Sequence, residues 1–118
     1  MVSGESGQGS AFEIRLQPAD SHGLLMLAGL VGTDAAPELC AKARVLVSDS
    51  KDVAIDWQDA EHVGASAIQV LLALGSALSR HGHKLYVIHD NPSVRRFLEL
   101  SGLSAKFPVL EASIEAFR

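Results

Sequence analysis

The chain has 118 residues, of which 47% are hydrophobic and 20% charged, and ten Lys and Arg stand against fourteen Asp and Glu for a formal net charge of −4. This length is typical of one domain with one hydrophobic core, which excludes a multidomain enzyme and a wholly disordered chain. The acidic balance, without any Lys/Arg-rich run, argues against nucleic acid as a partner.

The cysteine content and the apolar runs indicate the compartment. One cysteine, Cys40, cannot form an internal disulfide and leaves no Cys-x-x-Cys pair for a metal, which favours a reducing environment. No window approaches the roughly 20 apolar residues of a membrane span, and the N-terminus does not resemble a signal peptide. We therefore expect a soluble cytoplasmic protein with no membrane insertion. Its Gly- and Ser-rich start predicts a flexible leader over 1–10 and one domain over 11–118.

The first predicted elements form a hairpin followed by a helix. Apolar and polar residues alternate over 12–16, the pattern of a strand with one buried face. After turn-forming residues, the apolar run over 24–28 predicts the second strand. Thr33 or Asp34 can then cap a helix over 35–47.

The middle of the chain predicts a buried strand and a long helix. The apolar run over 53–57 has the length of a buried strand, and a loop separates it from a helix over 66–80. Apolar residues recur in this helix at spacings of three and four, and Gly75 allows close approach to the sheet. Gly82 ends the helix in the left-handed conformation.

The remaining elements complete an α/β pattern. We predict a strand over 84–88, a helix over 91–101 that ends at Gly102, an edge strand over 107–110 and a final helix over 111–117. Right-handed crossovers then give a mixed sheet of about five strands with an N-terminal antiparallel pair, covered by about four helices. Functional groups in such sheets gather after the carboxyl ends of the parallel strands, here in loops 58–67 and 89–91.

Residues 92–103 and residues 70–74 carry motifs that resemble those of the STAS domain, the module of bacterial anti-sigma factor antagonists and of the cytoplasmic tails of sulfate transporters. The family's Pro-x-Val-[Arg/Lys]-Arg-x-[Leu/Phe]-x-x-[Ser/Thr]-Gly-Leu pattern is similar to residues 92–103, Pro-Ser-Val-Arg-Arg-Phe-Leu-Glu-Leu-Ser-Gly-Leu. The second stretch is 70–74, Val-Leu-Leu-Ala-Leu, on the long helix that follows Asp56. The resemblance extends from Leu27 to about Val109 and implies the STAS fold.

The resemblance also implies a regulatory site at the start of the long helix, where this chain departs from the family. The family motif is Asp-Ser-[Ser/Thr]-Gly, and this chain has Gly64-Ala65-Ser66-Ala67. The phosphorylated serine of the family aligns with Ala65, whereas Ser66 matches the second hydroxyl position. Ser66 therefore has two interpretations, either a phosphorylation site or, with Gln69, the Ser-x-x-Gln of a capping box.

The resemblance implies a non-enzymatic protein that binds another protein, with no cofactor and no metal. The expected partner is an anti-sigma factor or a related histidine-kinase-like protein, bound by partner switching in transcription regulation. The predicted partner-binding residues are Asp59, Glu61, His62, Gly64, Ala65, Ser66, Gln69 and Ala73. Because the consensus acceptor is absent, the alternative is a constitutive adaptor in a chemotaxis-type signalling complex or a lipid ABC transporter. A third possibility is a nucleotide or lipid bound near Gly64.

Enzymatic and metal-binding interpretations have weaker support in the sequence. Ser66 at a strand-to-helix junction, with His62 and Asp59 nearby, is similar to a nucleophile elbow, but its last glycine is replaced. The pair His81 and His83 lacks a third ligand at a fixed spacing and fits a helix-ending turn better.

Three other residue types have both a structural and a functional interpretation. Asp56 suggests a phospho-acceptor, but the first strand lacks the acidic pair of such sites, so we expect it to cap its own loop. Trp57 is either a core aromatic or an exposed interaction anchor. Arg95 and Arg96 either face solvent or contact a partner.

Overall fold

The computed structural model describes residues 11–18 and 21–110. In chain order its elements are β1 (Phe12–Pro18), β2 (His22–Val31), α1 (Ala36–Ser48), β3 (Asp52–Asp56), β4 (Ala60–Val63), α2 (Ala65–Arg80), β5 (Leu85–His89) and α3 (Pro92–Leu100), with 3-10 turns at Thr33–Ala35 and Ser104–Lys106. The described residues thus contain three α-helices rather than four. The leader predicted over 1–10 and the helix predicted over 111–117 lie outside them.

The sheet is mixed, with the strand order β1–β2–β3–β5. β1 pairs with β2 in antiparallel register, from Phe12 opposite Gly29 to Pro18 opposite Gly23. β3 is parallel to both β2 and β5. This confirms the predicted mixed sheet and its N-terminal antiparallel pair. A hairpin turn makes consecutive strands antiparallel, whereas a helical crossover brings the chain back so that the next strand runs parallel to the first.

β4 was not predicted, since its residues were assigned to the loop after β3. It pairs in parallel with the end of β2, beyond the part of β2 that β3 uses. The pairing shifts register after Gly29, whose φ is +78°, and the Gly29 amide donates to the carbonyl oxygen of Asp59 at 3.1 Å. With only four residues, of which Glu61 and His62 are exposed, β4 has no alternating pattern to signal it.

The predicted edge strand over 107–110 is reduced to a single bridge. Val109 pairs with Val87 of β5, and the flanking hydrogen bonds run from the Val87 amide to Pro108 and from the Leu110 amide to Val87, both at 2.8 Å. Proline lacks an amide hydrogen, so the segment cannot continue a regular ladder.

The core lies between one face of the sheet and the helices. Its sheet side includes Ile14, Leu25, Leu27, Val53, Ile55 and Val87, and its helix side includes Leu39, Leu46, Leu71, Leu74, Val94 and Leu98. A Cβ on Gly75 would lie 3.3 Å from Cδ2 of Leu85, which confirms the close approach of α2 to the sheet. None of the helices in the described part of the chain is long and apolar enough to cross a membrane.

The helix ends match the sequence at their C-termini better than at their N-termini. Gly82 has φ of +80°, the left-handed value predicted for it, and Gly102, predicted to end its helix, has φ of +73°. The predicted cap of α1 is wrong, because Thr33 and Asp34 form a 3-10 turn and Ala35 precedes the helix without a side-chain cap.

Candidate functional site

The start of α2 is fixed by Gly64 and has no side-chain cap. Gly64 is the N-cap, with φ of −79° and ψ of 174°, and its amide donates to the carbonyl oxygen of Val31 at 2.8 Å. Ala65 and Ser66 are therefore the first two residues of the helix. The capping-box interpretation of Ser66 is wrong, because a capping serine must precede the helix that it caps.

Ser66 lies beside the turn that follows β2. Its Oγ is 3.4 Å from Oγ1 of Thr33, and Ser66 is half-buried while Thr33 is exposed. Within the described residues the Thr33 hydroxyl is the side-chain hydrogen-bond partner of Ser66, and a hydroxyl does not act as a general base near neutral pH. The geometry therefore gives no support to the nucleophile-elbow interpretation.

The predicted partner-binding residues lie on α2, on β4 and in the connection before β4. Ala65, Gln69 and Ala73 are exposed along one face of α2, and Glu61 and His62 are exposed on β4 just before it. Asp59 precedes β4 and is also exposed. It lines a small cavity of about 70 Å³ with Glu13, Arg15 and Asp56, on the sheet face that turns away from the core.

Asn91 joins the two loops that the sequence analysis selected. It is buried, and its Oδ1 accepts hydrogen bonds from the amides of Ser93 at 2.9 Å and Val94 at 3.4 Å, so it caps α3. Its Nδ2 donates to the carbonyl oxygens of Trp57 and Gln58 in the β3–β4 connection, both at 3.2 Å, and to that of Ala60, the first residue of β4, at 2.6 Å. The Asn-Pro pair predicted the start of this helix, but no sequence signal predicted the bonds to the other loop.

The carboxylate of Asp90 accepts hydrogen bonds from two further side chains. Trp57 Nε1 donates to its Oδ1 at 2.8 Å, and Arg95 Nε donates to its Oδ2 at 2.9 Å. Burial opposes ionisation of Asp90, but the hydrogen bonds from Arg95 and Trp57 outweigh it, so the pKa of Asp90 lies below its ordinary value.

This network decides between the interpretations left open for Trp57 and Arg95. Trp57 is fully buried and its ring centroid is 5.6 Å from that of Phe107, so it is a core aromatic. Arg95 also donates to the carbonyl oxygens of Ser104 at 3.2 Å and Phe107 at 2.8 Å. Its guanidinium therefore ties α3 to the C-terminal turn, whereas Arg96 is exposed.

The other titratable candidates have structural contacts. Asp56 Oδ1 accepts from the amide of Gln58 at 3.1 Å, as expected of a loop cap, and its Oδ2 is 2.8 Å from His89 Nδ1. His83 Nδ1 lies 3.5 Å from Oδ1 of Asp52. No group of three or more metal-ligating side chains occurs in residues 11–18 and 21–110.

A mixed five-strand sheet with an antiparallel N-terminal pair, packed against helices over one core, is the fold of the anti-sigma factor antagonists. A family model described as "Mlab, STAS domain" matches residues 14–111, and the chain therefore belongs to the STAS family. No curated protein shows a significant match to the sequence.

Several solved structures are similar to this chain. An anti-sigma factor antagonist from Mycobacterium paratuberculosis is 24% identical, with a TM-score of 0.76 over 91% of this chain and 94% of the other. The Bacillus cell fate determinant SpoIIAA in its phosphorylated form is 15% identical, with a TM-score of 0.70 over 90% and 100%. The unphosphorylated form of the anti-sigma factor antagonist SpoIIAA is 16% identical, with a TM-score of 0.75 over 88% and 95%. At these identities the likeness establishes the fold.

Proposed function

We propose that this protein is a non-catalytic regulator of the bacterial cytoplasm that binds a protein partner through the surface at the start of α2. The expected partner is an anti-sigma factor or a related histidine-kinase-like protein, and binding is controlled by phosphorylation of Ser66. Membership of the STAS family and the shared fold of anti-sigma factor antagonists support this regulatory, partner-binding role.

The observation that carries the proposal is the position of Ser66. It is the second residue of a helix whose N-terminus has no side-chain cap and no acidic residue in its first turn. A phosphate there would lie near free backbone amides and the positive end of the helix dipole. It would also bring about −1.5 to −2 charges to a surface that a partner must desolvate, so partner binding would weaken.

A second candidate function follows from Ala65. The acceptor position of the family holds a methyl group here, which cannot be phosphorylated. The protein would then be a constitutive adaptor, in a chemotaxis-type signalling complex or on a lipid ABC transporter, and would use the same exposed face of α2 without a switch.

Affinity capture with tagged protein from the native cytoplasm tests both candidates. The baits are wild type, Ser66→Ala, Ser66→Asp and Ser93→Asp, with captured proteins quantified by mass spectrometry. Ser93 is the matched control, because it too is the second residue of a helix, α3, and its side chain is exposed.

The switch predicts that wild type, Ser66→Ala and Ser93→Asp enrich the same kinase-like protein and that Ser66→Asp loses it at least tenfold. That partner with Mg-ATP should then phosphorylate Ser66 in the purified wild type. Equal capture of one transporter or chemosensory protein by all four baits would instead establish the adaptor. Enrichment of no protein by any bait would refute partner binding.

A further inference from the structure

A long open groove lies between α1 and α2. The two helices pack side by side, and the Thr33–Ser66 contact joins the start of α2 to the 3-10 turn that precedes α1. The groove has a volume of about 710 Å³ and a mainly apolar lining, which includes Cys40, Ala43, Val47, Val70, Ala73 and Ala77. On α2 it extends from Ser66 to Arg80, which is about 21 Å at 1.5 Å per residue.

The side chains on the groove surface are small. Alanine and cysteine make up five of its eight apolar lining residues, and the other three are one valine from each helix and Leu74. Packed helices approach to about 8–10 Å between axes when the side chains at the contact are small. A third helix of about 14 residues, equal to the span from Ser66 to Arg80, would therefore fit along the groove with its apolar stripe towards α1 and α2.

The charge on the groove is concentrated in its C-terminal half. Arg44 of α1 and Arg80 of α2 both line it and both are exposed. Neither forms an ion pair within the described part of the chain, unlike Lys42, which lies 3.7 Å from Glu38. Two free guanidinium groups beside an apolar surface favour carboxylates on the group that covers it.

We propose that the groove binds an acidic amphipathic helix of the partner protein, with its apolar stripe on the alanine-lined surface and its carboxylates on Arg44 and Arg80. The inference rests on the proposed function and names the part of the partner that is recognised. Ser66 lies at the other end of the same groove. Phosphorylation there would place negative charge at the end of the groove that the apolar part of the helix covers, so binding would require desolvation of the phosphate.

Synthetic peptides provide the probe. One is an 18-residue helical peptide with leucines three and four residues apart and four glutamates in one half, and the other carries lysines in place of the glutamates. Binding is measured by fluorescence anisotropy at two salt concentrations. Cys40 reports the location, because it is the one cysteine of the chain and it lines the groove, so its alkylation by N-ethylmaleimide should slow when the groove is filled.

Matched variants test each half of the proposal. Arg44→Glu combined with Arg80→Glu should weaken binding of the acidic peptide at least tenfold, and Arg96→Glu, on the exposed side of α3, should leave it unchanged. Ala73→Trp fills the groove and should abolish Cys40 protection. Ala41→Trp is its control, because Ala41 is also an exposed helical alanine but lies outside the groove.

The expected result is tighter binding of the acidic peptide, weakened by salt, with protection of Cys40. The proposal is overturned if neither peptide binds, if both bind equally, or if Cys40 stays reactive. The same variants used as capture baits separate this inference from the proposed function. A partner that is lost with Ser66→Asp but retained by the arginine and Ala73→Trp variants would refute the groove alone, whereas peptide binding without any captured partner would refute the proposed function alone.

Discussion

Replacing Asn91 by alanine tests whether one buried amide holds the β3–β4 connection to α3. The substitution removes an N-cap, which costs about 1 kcal/mol. It also removes the donor to the carbonyl oxygens of Trp57, Gln58 and Ala60, of which the Ala60 bond is the shortest at 2.6 Å. Buried acceptors left without a donor cost about 1–3 kcal/mol, so we expect a total loss of about 2–4 kcal/mol.

Urea unfolding followed by circular dichroism measures this loss. With a typical slope of about 1.5 kcal/mol per molar urea, a loss of 3 kcal/mol lowers the midpoint by about 2 M. Ser93→Ala is the control, because only the backbone amide of Ser93 contacts Asn91. A midpoint shift for Asn91→Ala within about 0.5 M of that control would refute the reasoning.

Asn91→Asp separates the two roles of the side chain. Aspartate caps a helix as well as asparagine does, but it cannot donate to the carbonyl oxygens of the neighbouring connection while it is ionised. We expect this variant to keep α3 and to lose protection of the Ala60 amide, which donates to Trp57 at 3.1 Å, in hydrogen exchange. Unchanged Ala60 protection would mean that the loop is held by other contacts.

Three further substitutions have expected outcomes. Gly29→Ala should lower the free energy of unfolding by about 2 kcal/mol or more, because φ is +78° and the new Cβ would collide with the carbonyl oxygen of Ala11. Gly32→Ala is the control, because the space around its Cβ is open, and it should change the free energy of unfolding by less than half as much in the same urea titration. Burial lowers the pKa of His22 below its ordinary 6.5, so the contribution of His22 to stability is full above that pH and is lost as the pH falls towards the folded-state pKa. The melting temperature of His22→Gln should therefore depend less on pH between 7 and 5 than that of wild type, and parallel pH profiles of the two proteins would contradict this. Hydrogen bonds hold the pKa of Asp90 below its ordinary 3.8, so the contribution of Asp90 to stability is present above that pH and is lost in acid. Asp90→Asn should therefore unfold at a lower temperature than wild type at pH 7, and the difference in melting temperature should shrink as the pH falls through the lowered pKa.

The stretch that carries the family resemblance acts within the fold. Asn91 joins α3 to the β3–β4 connection, and Arg95 contacts Asp90 and the carbonyl oxygens of Ser104 and Phe107. These contacts use the side-chain hydrogen-bonding groups of Arg95 internally, whereas the neighbouring Arg96 is exposed. Asn91 and Arg95 therefore act within the fold, and the proposed contacts with a partner involve other residues, such as Arg44 and Arg80.

Local patterns in the sequence were sufficient for most of the elements. The alternation over 12–16 and the spacing of apolar residues over 66–80 depend on one face being buried, and Gly82 and Gly102 depend on the left-handed conformation that ends a helix. Each of these signals is carried by residues within a few positions of one another. The N-terminal antiparallel pair and the three described helices were correct for this reason.

What required the folded chain depends on contacts between distant segments. β4 exists because β2 is longer than β3 and offers a second pairing site after the Gly29 irregularity, which the four residues of β4 do not encode. Gly64 rather than Ser66 caps α2 because the end of β2 accepts the Gly64 amide. The burial of Trp57, the inward contacts of Arg95 and the α1–α2 groove likewise arise from packing, since the same residue types face solvent or core according to what other segments bring beside them.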